Sequence, residues 1–168
     1  SRYGLEIELS EVSDVRPDGD SWRVEGYDGE WTGRSVIFAG GSTLRKLGVP
    51  GEEALHGAGV SYCATCDGAF FMDQEVGGVG AGDSALDEAV TLTEFASKVT
   101  VLSRGSSFSG QKVLQDRVLS NPKVEVRWKT SVDAVLGDGQ VDGVSVTDLT
   151  SGETSRVDLS GLFVYVGL

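Results

Sequence analysis

The chain has 168 residues, of which 39% are hydrophobic, and it carries a formal net charge of −12 with a pI near 4.4. This hydrophobic content is typical of a folded globular protein, and the negative charge argues against a nucleic-acid partner because phosphates would be repelled. No apolar run approaches the roughly 18 residues of a membrane helix, and the start of the chain lacks the apolar core of a signal peptide. The only cysteines are Cys63 and Cys66, so no structural disulfide framework is expected and a cytoplasmic location is favoured.

The first part of the chain predicts a β-meander, with strands at 4–12, 22–27 and 30–38. Pro17-Asp18-Gly19-Asp20 forms a turn cluster before the second strand, and Asp28-Gly29 is typical of a tight hairpin. Residues 47–51, Leu-Gly-Val-Pro-Gly, predict an extended linker, and we expect a domain boundary close to it.

The middle of the chain predicts a βαβ unit, built from a strand at 75–79, a helix at 83–97 and a strand at 98–102. Two adjacent glycines, Gly77 and Gly78, are expected to weaken the first of these strands. The later elements are a helix at 111–119, a strand at 124–128 and a second meander at 132–136, 141–148 and 153–159. Because the chain does not begin with Met and ends in an apolar run that predicts another strand, we expect a fragment of a larger protein.

A glycine-rich turn, Gly80-x-Gly-x-x-Ala85, lies between the predicted strand and helix. In a dinucleotide fingerprint the first glycine permits the tight turn, the second lets backbone N–H groups approach a pyrophosphate, and a small third residue allows close packing. The helix N-terminus adds partial positive charge. The alternative is an ordinary strand–helix turn. The candidate coenzyme-binding residues are Gly80, Ala81, Gly82, Asp83, Ser84, Ala85, Glu88, Ser103 and Arg104.

The second strand of the unit ends in Ser103-Arg104, where an acidic residue would bind the ribose of NAD and an arginine would favour the 2′-phosphate of NADP. Because no carboxylate stands there, NADP is mildly favoured. The alternative for Arg104 is a solvated surface side chain.

Cys63-x-x-Cys66 predicts a redox-active pair, because two intervening residues allow a short disulfide loop that opens and closes easily. Half of a zinc site is an alternative that lacks ligands, since the chain has no other cysteine and a single histidine, His56. Two inert buried thiols are the other alternative. Asp67, directly after the pair, is a candidate proton donor or acceptor for the released thiol, or simply the first residue of an Asp-Gly turn.

Three runs closely resemble the low-molecular-weight thioredoxin reductases: KLGVPGE at 46–52, GVSYCATCDG at 59–68 and GAGDSALDEA at 80–89. Residues 95–101 and 161–167 extend the resemblance over essentially the whole chain. The resemblance implies a homodimeric flavoprotein of α/β class. Its Rossmann-like, three-layer nucleotide-binding domain would carry a β-meander, beside an incomplete second Rossmann-like FAD domain.

In this family the NADPH domain carries the dithiol and interrupts the FAD domain. Residues 1–54 would then be a partial FAD-domain segment, 55–159 the NADPH-binding domain and 160–168 the start of the return to the FAD domain. Segments at 49–53 and 159–161 would act as hinges for domain rotation between half-reactions. The chain contains no FAD fingerprint, so we expect it not to hold FAD or to turn over alone.

The resemblance also implies a route for the electrons, from NADPH to FAD, then to the Cys63–Cys66 disulfide and finally to thioredoxin or a similar protein disulfide. Cys66 would face the flavin, Cys63 would attack the substrate disulfide, and Asp67 would supply the proton.

One departure from the family pattern concerns the coenzyme. Where the family usually carries His-Arg-Arg-x-x-x-Arg, residues 103–109 are Ser-Arg-Gly-Ser-Ser-Phe-Ser, so two arginines are missing and NADH use is possible. Three other functions stay open: the flavoprotein of an alkyl hydroperoxide reductase, a dithiol reductase fed by ferredoxin, and a non-enzymatic dinucleotide-binding or redox-sensing module.

Overall fold

The computed structural model describes residue 4 and residues 6–167, and the chain forms two compact units, Ser1–Gly41 and Ser42–Leu168. The first unit contains three antiparallel strands in the order β1-β2-β3, namely β1 (Val12–Asp18), β2 (Ser21–Gly26) and β3 (Gly29–Gly33). A meander was predicted here. Its first strand was predicted at residues 4–12, whereas the structure places it at Val12–Asp18. Gly19, with φ of +60°, makes the tight turn after β1, and Pro17 is tolerated because β1 is an edge strand.

The second unit is built on a five-stranded parallel sheet with strand order β4-β11-β5-β6-β7. Its strands are β4 (Val60–Ser61), β5 (Glu75–Val79), β6 (Lys98–Leu102), β7 (Val124–Arg127) and β11 (Gly161–Val164). The helices are α1 (Ala64–Asp67), α2 (Asp83–Leu92) and α3 (Lys112–Ser120), and a single 3₁₀ turn covers Gly68–Phe71. An antiparallel meander of β8 (Thr130–Gly137), β9 (Val141–Asp148) and β10 (Thr154–Asp158) completes the unit.

The two faces of the parallel sheet pack against different layers. Val76, Val99 and Phe163 point to the helices, where they meet the apolar stripe of α2, including Leu86 and Leu92. The other face carries Val79, Leu102, Leu162 and Val164, which pack on the meander residues Val144, Val146 and Val157. This arrangement of helices, parallel sheet and meander confirms the predicted three-layer α/β class.

Local patterns located most elements of this unit within a residue or two, and β5, β6 and β9 coincide with their predicted bounds. Helix α2 is shorter than predicted and ends at Leu92, where the Thr93 hydroxyl donates to Val90 O at 2.6 Å and the chain turns away. The predicted domain boundaries at 54 and 159 stay predictions, and strand β11, which follows the second of them, lies inside the sheet between β4 and β5.

Gly77 lets β5 lie close to its neighbours, and the expected weakening of the strand by Gly77 and Gly78 stays a prediction. A Cβ at Gly77 would lie 2.6 Å from Leu159 Cδ1 and 3.1 Å from Leu162 Cδ1, so the meander packs directly on the backbone here. The glycine therefore permits a close approach between layers.

Candidate coenzyme and dithiol site

A cavity of about 760 Å³ opens at the carboxyl ends of β5, β6 and β11. The segments that follow these strands line it, with 80–85 after β5, 103–105 after β6 and 165–167 after β11. The chain runs outward from β5 through β6 and β7, and later returns to the other side of β5 with β11. Open α/β sheets bind ligands at such a switch in strand order, and the cavity volume suits a nucleotide-sized ligand.

The turn after β5 has the geometry that the fingerprint requires. Gly80 adopts φ of +148°, and a Cβ there would lie 2.4 Å from Tyr165 O and 2.7 Å from Ala85 Cβ. A Cβ at Gly82 would meet nothing nearer than Ser109 Oγ at 4.0 Å, so this side of the turn is open. No side chain among the described residues caps the N-terminus of α2. The first residues of α2 line the cavity, and their uncapped N–H groups are available to an anion such as a pyrophosphate.

The loop after β6 is hydrogen-bonded to this turn and to the start of α2. Ser109 N donates to Ala81 O at 2.9 Å, and Asp83 Oδ1 accepts from Gln111 N at 2.6 Å. Ser103 is buried, and its Oγ accepts from Gly105 N at 3.2 Å, whereas Arg104 is exposed at the cavity. Of the predicted coenzyme residues, all but Glu88 line the cavity, and their role in binding stays a prediction.

Cys63 and Cys66 form a disulfide across the first turn of α1. Cys63 is half-buried and occupies the N-cap, where its sulfur lies 3.1 Å from Cys66 N, whereas Cys66 is exposed. In the described part of the chain, no group of three or more His, Cys, Asp or Glu side chains is placed to hold a metal ion. The structure thus presents the pair in the oxidised form of a redox couple.

Comparison with known proteins agrees with this combination of a coenzyme cavity and a disulfide. The family model described as pyridine nucleotide-disulphide oxidoreductase matches residues 4–168. The chain belongs to this family. It is 42% identical over 166 residues to a thioredoxin reductase of Mycolicibacterium smegmatis, and the match covers 99% of this chain and 53% of that protein.

Two further thioredoxin reductases place the chain within this branch of the family. The protein of Bacillus subtilis is 41% identical over 169 residues, which is 99% of this chain and 53% of that one. The crystal structure from Lactococcus lactis in its FR conformation superposes with a TM-score of 0.79 at 36% identity, covering 94% of this chain and 52% of that one. The predicted resemblance to thioredoxin reductases is confirmed, and the chain spans about half the length of the curated relatives it matches.

The family's dithiol turn is held here by carboxylates from three elements. The first is Asp67 itself, whose Oδ2 accepts from Ser61 Oγ at 2.6 Å. Ser61 is 4% exposed, and its Oγ also accepts from Cys63 N at 3.1 Å. One buried hydroxyl therefore joins the predicted proton donor to the backbone of the cysteine that is predicted to attack the substrate.

The second carboxylate is Glu52, which is only 2% exposed. Its Oε1 accepts from Leu47 N and from Tyr62 Oη, both at 2.9 Å, and its Oε2 accepts from Gly48 N at 2.7 Å. Burial and this hydrogen bond raise the pKa of Tyr62 to about 12. Glu52 thus ties the linker to the residue that precedes Cys63.

The third carboxylate is Glu88, on the second turn of α2. Its Oε2 accepts from Ala64 N at 2.7 Å and from Tyr165 Oη at 3.2 Å. Burial, followed by the charge of Glu88, raises the pKa of Tyr165 well above its usual range. The structure thus places Glu88 at the dithiol turn and not among the residues that line the large cavity.

Sequence reasoning missed Ser61, Glu52 and two basic residues, Arg45 and Lys46, which line the large cavity from the linker. Arg45 N donates to Gly167 O at 3.0 Å, and Lys46 pairs with Glu53. The sequence does show these two residues as a basic pair directly before the Leu-Gly-Val-Pro-Gly linker. Because the pair is far from the fingerprint in the sequence, its position at the cavity could not be predicted. No helix of the described residues is long and apolar enough to cross a membrane.

Proposed function

We propose that the chain is the coenzyme- and dithiol-bearing part of an NADPH-dependent thioredoxin-disulfide reductase. The observation that carries this proposal is the link between the Cys63–Cys66 turn and helix α2, which begins with the dinucleotide fingerprint. One compact unit therefore holds a redox disulfide and an open, uncapped helix N-terminus for a pyrophosphate. The names of these two relatives, both thioredoxin reductases, supply the reaction class.

The cavity residues fit NADPH. The first N–H groups of α2 would bind the pyrophosphate, the open side at Gly82 would leave room for its oxygens, and Arg104 would face the 2′-phosphate. FAD, held by the complete protein, would supply hydride acceptance from NADPH and release of the same two electrons to a disulfide.

The chain's own residues would then carry the second half of the reaction. Cys66, the exposed sulfur, would face the flavin, and two electrons with two protons convert the disulfide into two thiols. Cys63 as thiolate would attack the substrate disulfide, and attack by Cys66 on the mixed disulfide would release the reduced substrate and re-form the Cys63–Cys66 bond. Asp67, held by Ser61, would give and take the proton of the leaving thiol.

The physiological setting belongs to the same proposal. Thioredoxin or a thioredoxin-like protein would be the substrate, and the complete protein would be a homodimer, as the family resemblance implies. We place it in the cytoplasm because the only cysteines of the 168-residue chain form the redox pair and leave none for a structural disulfide in this part of the protein.

The dithiol role is tested in the complete protein by replacing Cys63 with serine. Thioredoxin reduction should be lost while flavin reduction by NADPH is retained, because coenzyme binding does not involve this sulfur. Thioredoxin reduction that persists in Cys63→Ser would refute the assignment.

The coenzyme is tested by calorimetric titration of the 168-residue chain with NADPH and with NADH. We expect tighter binding of NADPH, and we expect Arg104→Ala to weaken NADPH binding about tenfold or more while leaving NADH unchanged. Arg117→Ala, which removes an exposed positive charge on α3, is the matched control. Equal affinities for both coenzymes would assign the protein to NADH, and no binding of either by the folded chain would overturn the coenzyme role.

A further inference from the structure

Glu88 connects the two functional parts of this unit. Its carboxylate leaves α2 one turn after the fingerprint and accepts from Ala64 N, the first backbone donor of the dithiol helix. The same oxygen accepts from Tyr165 Oη, at the end of β11. One half-buried oxygen thus joins the dithiol turn, the coenzyme helix and the strand that follows the meander.

In the part of the chain that the structure describes, this carboxylate has no basic partner. No Lys, Arg or His among the described residues forms an ion pair with Glu88, or with Asp67 on the other side of the turn. The partners of Glu88 are two neutral donors, which hold a carboxylate in place without cancelling its field.

We propose that Glu88 is a positioning residue for the dithiol turn and that its negative charge, held at the backbone N–H of Ala64 directly after Cys63, makes the Cys63–Cys66 dithiol a stronger reductant. This inference rests on the proposed function, because it assumes that the pair cycles between disulfide and dithiol.

The physical reason is the difference in charge between the two redox states. Reduction breaks the S–S bond with two electrons and two protons, and near the ordinary thiol pKa of about 8.5 part of the product is a thiolate. A neighbouring negative charge raises the free energy of that thiolate, whereas the disulfide carries no charge to repel. The equilibrium therefore shifts toward the disulfide, and electrons leave the dithiol more readily.

Three variants of the 168-residue chain separate the effect of the charge of Glu88 from the effect of its hydrogen bonds. Glu88→Gln removes the charge but keeps an amide oxygen that accepts from both Ala64 N and Tyr165 Oη. Glu88→Ala removes the charge and both hydrogen bonds. Asp87→Asn removes a charge from the next residue of α2, which is exposed, and is the matched control.

Each chain is equilibrated with glutathione redox buffers at about pH 8, near the thiol pKa, and the dithiol fraction is counted by alkylation and mass spectrometry. We expect Glu88→Gln to shift the equilibrium three- to tenfold toward the dithiol, roughly 15–30 mV. Hydrogen exchange at Ala64 N should stay slow in Glu88→Gln and become at least tenfold faster in Glu88→Ala.

A shift below twofold in Glu88→Gln, or an equal shift in Asp87→Asn, would overturn the role of the charge. Unchanged exchange at Ala64 N in Glu88→Ala would overturn the positioning role. If Glu88→Ala does not fold, Glu88→Gln still decides the first point, and Tyr165→Phe, which should speed Ala64 N exchange by loosening the carboxylate, decides the second. The measurement needs no FAD, coenzyme or thioredoxin, so its failure is distinct from a failure of the proposed function.

Discussion

Replacing Glu52 should destabilise the second unit by an amount that the structure allows us to work out. This side chain is 2% exposed and accepts three hydrogen bonds, two from linker N–H groups and one from Tyr62. A hydrogen bond to a charged group contributes about 1.5–3 kcal/mol. Because Gly48 is exposed and Leu47 is half-buried, water can replace part of what the linker loses. We therefore expect Glu52→Ala to cost about 3 kcal/mol, well below the sum of three such bonds.

A second substitution separates the two carboxylate oxygens. In Glu52→Gln the remaining oxygen can serve Leu47 N and Tyr62 Oη, which share Oε1, but the new NH₂ group faces the N–H of Gly48. One bond is lost, so the cost should be about 1.5 kcal/mol. Glu53→Gln, an exposed neighbour paired only with Lys46, should stay within about 0.5 kcal/mol of the parent.

The assay is urea denaturation followed by circular dichroism at the helix band, since all helices of the described residues lie in the second unit. A cost of about 3 kcal/mol should lower the midpoint by about 1–2 M. If Glu52→Ala behaves like Glu53→Gln, or if Glu52→Gln costs as much as Glu52→Ala, the assignment of these bonds is refuted.

Three further predictions follow from the same structure. Gly80→Ala should cost about 3 kcal/mol or more, because it combines a φ of +148° with a Cβ 2.4 Å from a carbonyl oxygen, whereas Gly78→Ala, with open space around its Cβ, should cost less than about 1 kcal/mol. The pKa of Tyr62 is raised to about 12, so this residue should contribute stability that is fully present below its ordinary pKa of about 10 and is lost as pH rises through 12. Tyr62→Phe should remove this part of the pH dependence of the free energy of unfolding. Ser61→Ala should lower turnover in the complete protein, because the lost hydroxyl no longer holds the Asp67 carboxylate in place.

Each of these has a result that would contradict it. Equal denaturation midpoints for Gly80→Ala and Gly78→Ala would show that the turn after β5 tolerates a side chain. Identical stability curves above pH 10 for Tyr62→Phe and the parent would contradict the predicted pH-dependent contribution of Tyr62 to stability. Unchanged turnover in Ser61→Ala would mean that the hydrogen bond from Ser61 does not position Asp67 for the reaction.

Local patterns were sufficient to predict the positions of the glycine-rich turn and of the cysteine pair. The residues from Gly80 to Ala85 are contiguous, and each acts through its own backbone or its size, so spacing alone places them at the cavity. The same holds for Cys63 and Cys66, which meet across one turn of helix. The alternation of strands and helices predicted the βαβ unit, whereas the three-layer class was predicted from the family resemblance.

The contacts of the carboxylates could not be predicted in this way. Glu88 lies 24 residues from Ala64 and 77 from Tyr165, and nothing in the sequence indicates that one oxygen serves both. Glu88 was therefore interpreted only through its place in the fingerprint helix. The first strand was placed too early because residues 4–12 alternate apolar and acidic side chains, whereas the pairing of β1 is set by the turn at Gly19.

The acidic surroundings of the dithiol have a kinetic cost that can be compared with their thermodynamic gain. A negative charge near a thiol raises its pKa. Below that pKa, each tenfold shift of the equilibrium toward the thiol lowers the thiolate fraction about tenfold. The remaining thiolate is about threefold more nucleophilic, because reactivity rises with thiol pKa with a Brønsted coefficient near 0.4–0.5. Below the thiol pKa, a neighbouring charge such as that of Glu88 would therefore slow exchange about threefold for every tenfold loss of thiolate and would add little reducing power, because the reduced form is already the neutral dithiol. The gain in reducing power arises near and above the thiol pKa, where thiolate is present to be destabilised, so the carboxylate that holds Ala64 N favours electron release there and a cation in its place would oppose it.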